Sequence, residues 1–196
     1  MTCPLVSIVG PPAVGKTTLA EALARALPAE LIYEDYAGNP FLAEAYLGRD
    51  DLRLPAQLCY LFSRVGQLAM SRWPREGLRV TDYGFCQDRI YATTQLAGEE
   101  LHVYDRVARR VEPLVKPPDV LVLLDADEDT LLKRIAARGR EFERTFTRQF
   151  LTKMRQAYRD LPAAAECEVI EIDCERTDVR DDADTAAVAE KVREKL

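Results

Sequence analysis

A chain of 196 residues, 47% of them hydrophobic, can bury one sizeable core but not the cores of two ordinary domains. Its net charge of −6 excludes a broad basic surface for nucleic acid, and no apolar run reaches the roughly 20 residues that span a bilayer. The five cysteines (Cys3, Cys59, Cys86, Cys167 and Cys174) are scattered without a C-x-x-C pair, so neither a disulfide framework nor a zinc site is expected, and a reducing cytoplasm is the natural compartment.

Leu5 to Val9 is a short apolar run ending at Gly10 and reads as a buried strand; no basic stretch precedes it, so a secretory leader is not expected. Thr17 to Leu27 carries leucine and alanine at helical spacing up to Pro28, and Leu31 to Tyr33 predicts a second strand stopped by Glu34-Asp35. A short helix is expected over Phe41–Leu47. A longer one is expected over Pro55–Trp73, with Leu58, Leu61, Phe62, Val65 and Leu68 on one face. Leu78–Thr81 predicts a third strand, followed by helices over Asp88–Ala97 and Glu99–Val115; His102 reads as solvent-exposed. After Pro117-Pro118 comes the most apolar strand, Val120–Leu124, then a helix over Asp129–Ala137 and a densely charged stretch, Arg138–Arg144. A helix over Thr147–Leu161 and a strand over Val169–Ile172 complete the pattern, with a polar helix or partly ordered tail from Asp181. Short strands, apolar on both faces and alternating with helices, predict an α/β fold built on a parallel sheet covered on both sides.

Gly10-Pro11-Pro12-Ala13-Val14-Gly15-Lys16-Thr17 fits G-x-x-x-x-G-K-[ST] between a strand and a helix. In that setting the loop amides cradle phosphate oxygens, helped by the positive end of the helix. Lys16 is expected on the β- and γ-phosphates and Thr17 on Mg²⁺. The motif predicts a P-loop three-layer sandwich, five parallel strands flanked by helices, and a nucleoside triphosphate as ligand. It does not separate GTPases, ATPases and kinases, although no guanine-reading Asn-Lys-x-Asp is present.

Two features narrow that choice. Lys133-Arg134, Arg138-Gly139-Arg140 and Arg144 lie where a short lid over the phosphates would be, with Gly139 as a hinge. Glu34 and Asp82 fall at the carboxyl ends of the second and third strands, where open α/β sheets bind ligands. One could accept a proton from an attacking hydroxyl while the other orients Mg²⁺.

Taken in order, several segments resemble the deoxyribonucleoside kinases, a family that includes the deoxycytidine, deoxyguanosine and deoxyadenosine kinases. They are Gly10–Thr18, Tyr33-Glu34-Asp35 with Asn39-Pro40-Phe41-Leu42, Gln57 with Tyr60–Arg64, Asp82 through Asp88-Arg89, Pro118–Val120 with Leu123–Ala126, and Arg138–Glu143. The resemblance implies Glu34 as the base for a sugar 5′-hydroxyl and Gln57 as the reader of the nucleobase edge. It implies Tyr46 and Glu143 on the 3′-hydroxyl, Asp82 on Mg²⁺, and Arg138 and Arg140 on the phosphates of ATP. An Arg64–Asp88 pair, as in members preferring cytosine or purines, points to a purine deoxynucleoside or deoxycytidine and away from thymidine. Where animal members have Glu-Arg-Ser this chain has Asp82-Tyr83-Gly84, so a cation near the 5′-oxygen is expected from Arg89 or a lid arginine instead.

Among the aromatics Phe41, Phe62, Phe85 and Tyr91, only Phe85 is expected to stack on the base, the others filling core. A homodimer built on the long helices is also implied, with the face from Leu58 to Leu68 as its surface. The expected organisation is one kinase domain over residues 1–196, with a lid at about 138–145 and a tail at about 176–196. A nucleoside monophosphate kinase, an ATP-binding sensor without turnover, and a kinase for another alcohol remain as alternatives.

Overall fold

The computed structural model describes residues 3–196. β1 (Leu5–Val9) is buried along its whole length because it is the central strand of the sheet. Around it β2 (Glu30–Ile32), β3 (Arg79–Thr81), β4 (Val120–Asp125) and β5 (Glu168–Asp173) form five parallel strands in the order β2-β3-β1-β4-β5. Unbroken valine and leucine runs in β1 and β4 follow from cover on both faces, as the sequence predicts for a parallel sheet.

The helices are α1 (Lys16–Ala26), α2 (Leu42–Tyr46), α3 (Arg53–Gln67), α4 (Gln87–Gln95), α5 (Gly98–Val111), α6 (Glu128–Arg138), α7 (Arg148–Arg159) and α8 (Asp182–Arg193). Expected and observed boundaries differ mainly where caps and 3₁₀ turns intervene. α3 stops at Gln67, and the rest of the predicted long helix is a separate 3₁₀ turn at Met70–Arg72. α6, α7 and α8 begin at Asp127, Thr147 and Asp181, whose side chains accept amides of the first turn. Gly139 closes α6 in the left-handed region at φ 70°, so the glycine read as a hinge is the cap that turns the chain out of the helix.

One expectation fails on packing. The predicted α3 face does not act as one surface: Leu61 and Leu68 point into the core while Phe62 is exposed. The tail from Asp181 takes the helical form of the two expected. α8 buries Val188, Ala189 and Val192, and Arg193 Nη2 donates to the Ala26 carbonyl at the end of α1 at 2.7 Å. The helix that carries the P-loop is thereby braced from the C-terminal side of the chain.

Candidate active site

The loop after β1 has little choice of sequence at Gly10. Its φ is +147°, and a Cβ there would stand 2.4 Å from the Leu124 carbonyl oxygen of β4. Gly15, also at positive φ, opens α1 and meets Val179 from the turn before α8. Lys16 Nζ folds back on the carbonyls of Gly10 and Pro11 at 2.9 and 3.0 Å, and Arg134 Nη1 of α6 holds the Val14 carbonyl at 2.8 Å. Burial pushes the Lys16 ammonium down to about 8 despite Glu34 and Asp82 nearby, so an anion in the loop would restore its charge.

A cavity of about 690 Å³ opens from this loop across the carboxyl ends of β2 and β3 and under the segment between α6 and α7. Of the expected residues, Lys16, Thr17, Glu34, Tyr46, Gln57, Arg64, Asp82, Arg138, Arg140 and Glu143 all line it, as do the loop residues Pro12, Ala13, Gly15 and Thr18. The remaining motif residues Gly10, Pro11 and Val14 shape the loop from beneath.

Asp82 joins two of the site's parts. Its carboxylate accepts Thr17 Oγ1 at 2.6 Å and the Glu34 amide at 2.7 Å, fixing the end of β2 against the P-loop. Glu34 Oε1 in turn accepts Gln87 Nε2 at 2.7 Å and is ion-paired with Arg64 Nη2. Arg64 is buried in α3; its Nη1 lies 2.5 Å from Asp88 Oδ1, and its guanidinium rests over the rings of Tyr60 and Tyr83. Burial works against the Arg64 charge, but Asp88 and Glu34 outweigh it and hold the guanidinium ionised. Asp88 is placed behind the cavity wall, so its reach into the site runs through Arg64.

On the opposite wall Glu143 is buried, with Oε1 shared by Arg138 and Arg140 at 3.4 and 3.2 Å. Arg140 also stacks 3.9 Å above the centre of the Tyr36 ring, reaching from the α6–α7 segment to the loop after β2. Tyr46 stands between Phe142, parallel at 5.8 Å, and Phe146, edge-on at 5.0 Å, with its hydroxyl bonded to Gln95 Nε2. Within the predicted cationic run, Arg134, Arg138 and Arg140 face the cavity; Lys133 and Arg144 are exposed elsewhere.

Several expectations need correction. Phe85 does not face the cavity; it fills space among Leu61, Leu68, Tyr83, Val115 and Tyr104. The reverse holds for Tyr91, read as core, which lines the cavity, while Phe62 is exposed and Phe41 lies near the surface. Arg89 is exposed and contributes no charge to the site; the cation beside Glu34 is Arg64. Tyr83 does not stand in for an arginine. It turns into the core, where its hydroxyl donates to Gln67 Oε1 at 2.7 Å while Gln67 Nε2 donates to the Tyr33 carbonyl at 2.9 Å. Tyr83→Phe is therefore expected to leave turnover within about threefold and to lower stability by about 1–3 kcal/mol, the range for an orphaned acceptor. Thermal melts and initial rates check this, and a rate loss beyond tenfold would put the hydroxyl in the reaction.

Residues given no site role from the sequence complete the site: Gln87 on Glu34, the rings of Tyr33, Tyr36, Tyr60, Tyr91, Phe142 and Phe146, and Asp178–Arg180 beside the P-loop. The 178–180 turn lies over 160 residues from the loop it touches, a proximity that helical and strand periodicity do not encode.

The chain is similar to several known proteins. A deoxyguanosine kinase of Bacillus subtilis is 28% identical over 160 residues, covering 80% of this chain and 77% of its own. A deoxyadenosine/deoxycytidine kinase of the same organism is 26% identical over 194 residues, covering 91% and 86%. A deoxyadenosine kinase from M. mycoides, solved with dCMP and dCDP bound, superimposes with a TM-score of 0.83 over 98% of this chain and 100% of that one; at 18% identity it speaks for the fold. Residues 6–196 match the deoxynucleoside kinase family, so nearly the whole chain, P-loop and cavity together, belongs to that family.

Proposed function

We propose that the chain transfers the γ-phosphoryl group of ATP to the 5′-hydroxyl of a deoxynucleoside, with Glu34 as the general base. One observation carries this reading: the Glu34 carboxylate stands between the phosphate loop and the aromatic-walled half of the cavity, anchored to Asp82 through its amide. A sugar hydroxyl placed there would have a proton acceptor on one side and a phosphate on the other. The 5′-oxygen forms the new bond to phosphorus, the bond from phosphorus to the β–γ bridging oxygen breaks, and the proton passes to Glu34. The products are the nucleoside monophosphate and ADP.

Thr17 and Asp82 fit Mg²⁺: a hydroxyl and a carboxylate 2.6 Å apart at the phosphate end of α1 give the hard oxygen donors this ion takes alongside phosphates. When bound, Mg²⁺ neutralises charge on the β- and γ-phosphate oxygens. Gln57, buried in the cavity wall, would read the base edge, and Tyr46 with Glu143 the 3′-hydroxyl. Arg138 and Arg140 would leave Glu143 for the triphosphate as residues 138–145 close as a lid over one domain. Arg64, backed by Asp88, sets the polarity of the base pocket and favours purine deoxynucleosides or deoxycytidine, in keeping with the names of the two Bacillus relatives. The exposed Phe62 of α3 and Val103 of α5 suit a homodimer interface, and a cytoplasmic setting suits the free cysteines.

The monophosphate-kinase alternative needs a free cation for an acceptor phosphate, whereas Arg64 is committed to two carboxylates. A pure ATP sensor would leave the buried Gln57 and Glu143, and the half-buried Tyr46, unused. Release of ADP with Mg–ATP decides among these readings. Deoxyadenosine, deoxyguanosine or deoxycytidine should turn over, with thymidine poor. Turnover of monophosphates alone, or silence with every acceptor, would overturn the proposal.

A further inference from the structure

We propose that Gln87 is a positioning residue for the reaction: with Arg64 it fixes Glu34 through a single carboxylate oxygen, Oε1, so that Oε2 alone is offered to the substrate hydroxyl. The inference rests on Glu34 being the base.

Both donors, Gln87 Nε2 and Arg64 Nη2, converge on Oε1 from different helices, α4 and α3. Among the described residues no hydrogen bond reaches Oε2. The main chain around Glu34 is fixed on both sides, its amide by Asp82 and its carbonyl by the amide of Tyr36. What is left free is the side chain's own torsions. One pinned oxygen removes most of that freedom without consuming the other.

Gln87 has no other evident task. It is the first residue of α4, 2% exposed and outside the cavity wall, and its Oε1 has no hydrogen-bond partner among the described residues. Burying an amide is costly unless its bonds are made, so a position that only filled space would favour an apolar side chain. Among the described residues the one hydrogen bond that its side chain makes is to Glu34.

Gln87 and Arg64 also differ in what disturbs them. Arg64 lines the cavity and answers to whatever base occupies it, as well as to Asp88. Gln87 holds Glu34 from behind, independently of the occupant. The base would thus keep its aim while the pocket adapts to the nucleobase.

Gln87→Met keeps the size and removes the donor. Its kcat is expected to fall by about 10–100-fold, the scale set by small misplacements of a reacting group, while KM for nucleoside and for ATP stays within about twofold. Gln87→His, which restores an N–H donor, should recover most of the loss. A merely structural role would instead move both KM values and the melting temperature and show no such rescue. Gln87→Met with kcat within twofold of the parent would overturn the proposal. Should the Met variant fail to fold, Gln87→Glu, similar in shape but presenting a second carboxylate to Glu34, carries the same test: kcat should drop, and an unchanged kcat would refute the role. Glu34→Gln measured alongside separates the two ideas. If it retains full turnover the base reading fails, whereas an inactive Glu34→Gln beside a fully active Gln87→Met removes only the part given to Gln87.

Discussion

Glu34→Gln should lower kcat by about 10²–10⁴-fold, the contribution of a positioned general base, and change KM for the nucleoside little. The amide keeps the shape of the carboxylate and still offers an oxygen to Gln87 and Arg64, so the geometry built around Oε1 survives. It cannot accept the proton of a neutral hydroxyl. Arg64 keeps Asp88 as a counter-charge, so folding should be little affected. Steady-state kinetics with the best deoxynucleoside, beside a thermal melt, checks both halves. Turnover within threefold of the parent would remove Glu34 from the base role.

Arg64→Met should destabilise the fold by about 3–5 kcal/mol, the usual result of taking one partner from a buried ion pair. Asp88 is 2% exposed, and its other oxygen, Oδ2, has no hydrogen-bond partner among the described residues. Burial already raises the Asp88 carboxyl above its ordinary range against the opposing pull of Arg64, and losing that cation would raise it further. A carboxyl raised in the folded state favours folding at low pH and loses that contribution as pH rises through the folded value. The variant's melting temperature should therefore rise as pH falls from neutral toward the ordinary carboxylate range, opposite to ordinary acid denaturation. Adding Asp88→Leu should restore most of the stability but not the activity, because Glu34 would still lack one of its two holds. Denaturant titrations of the two single variants and the double variant close the cycle. A double variant no more stable than Arg64→Met would show that the loss came from packing over Tyr60 and Tyr83 rather than from the stranded charge.

Much of the site was legible from local pattern because its parts are short and strictly spaced. The P-loop announces itself through glycines whose φ values and close approaches leave no alternative, as Gly10 against the Leu124 carbonyl shows. Glu34 and Asp82 could be placed because a strand end is a local feature and a parallel sheet gathers its strand ends along one edge. Arg64 and Asp88 could be named as a pair, but not that the pair extends to Glu34. Phe85 and Tyr91 exchange their expected places for a related reason. Periodicity tells which side chains are apolar, but the wall of a cavity and the core behind it are both apolar.

The sequence by itself determined the order of strands and helices along the chain, the glycine-rich loop between β1 and α1, and the carboxylates at the strand ends, because each depends on residues only a few positions apart. Only the tertiary structure decided that Tyr83 turns inward to Gln67, that Gln87 and Arg64 meet on one oxygen of Glu34, and that α8 braces α1 through Val192 and Arg193. Those arrangements join helices and loops far apart in the chain. They are fixed by where buried polar groups find partners and apolar ones find space, conditions that exist only once the sheet has brought those elements together.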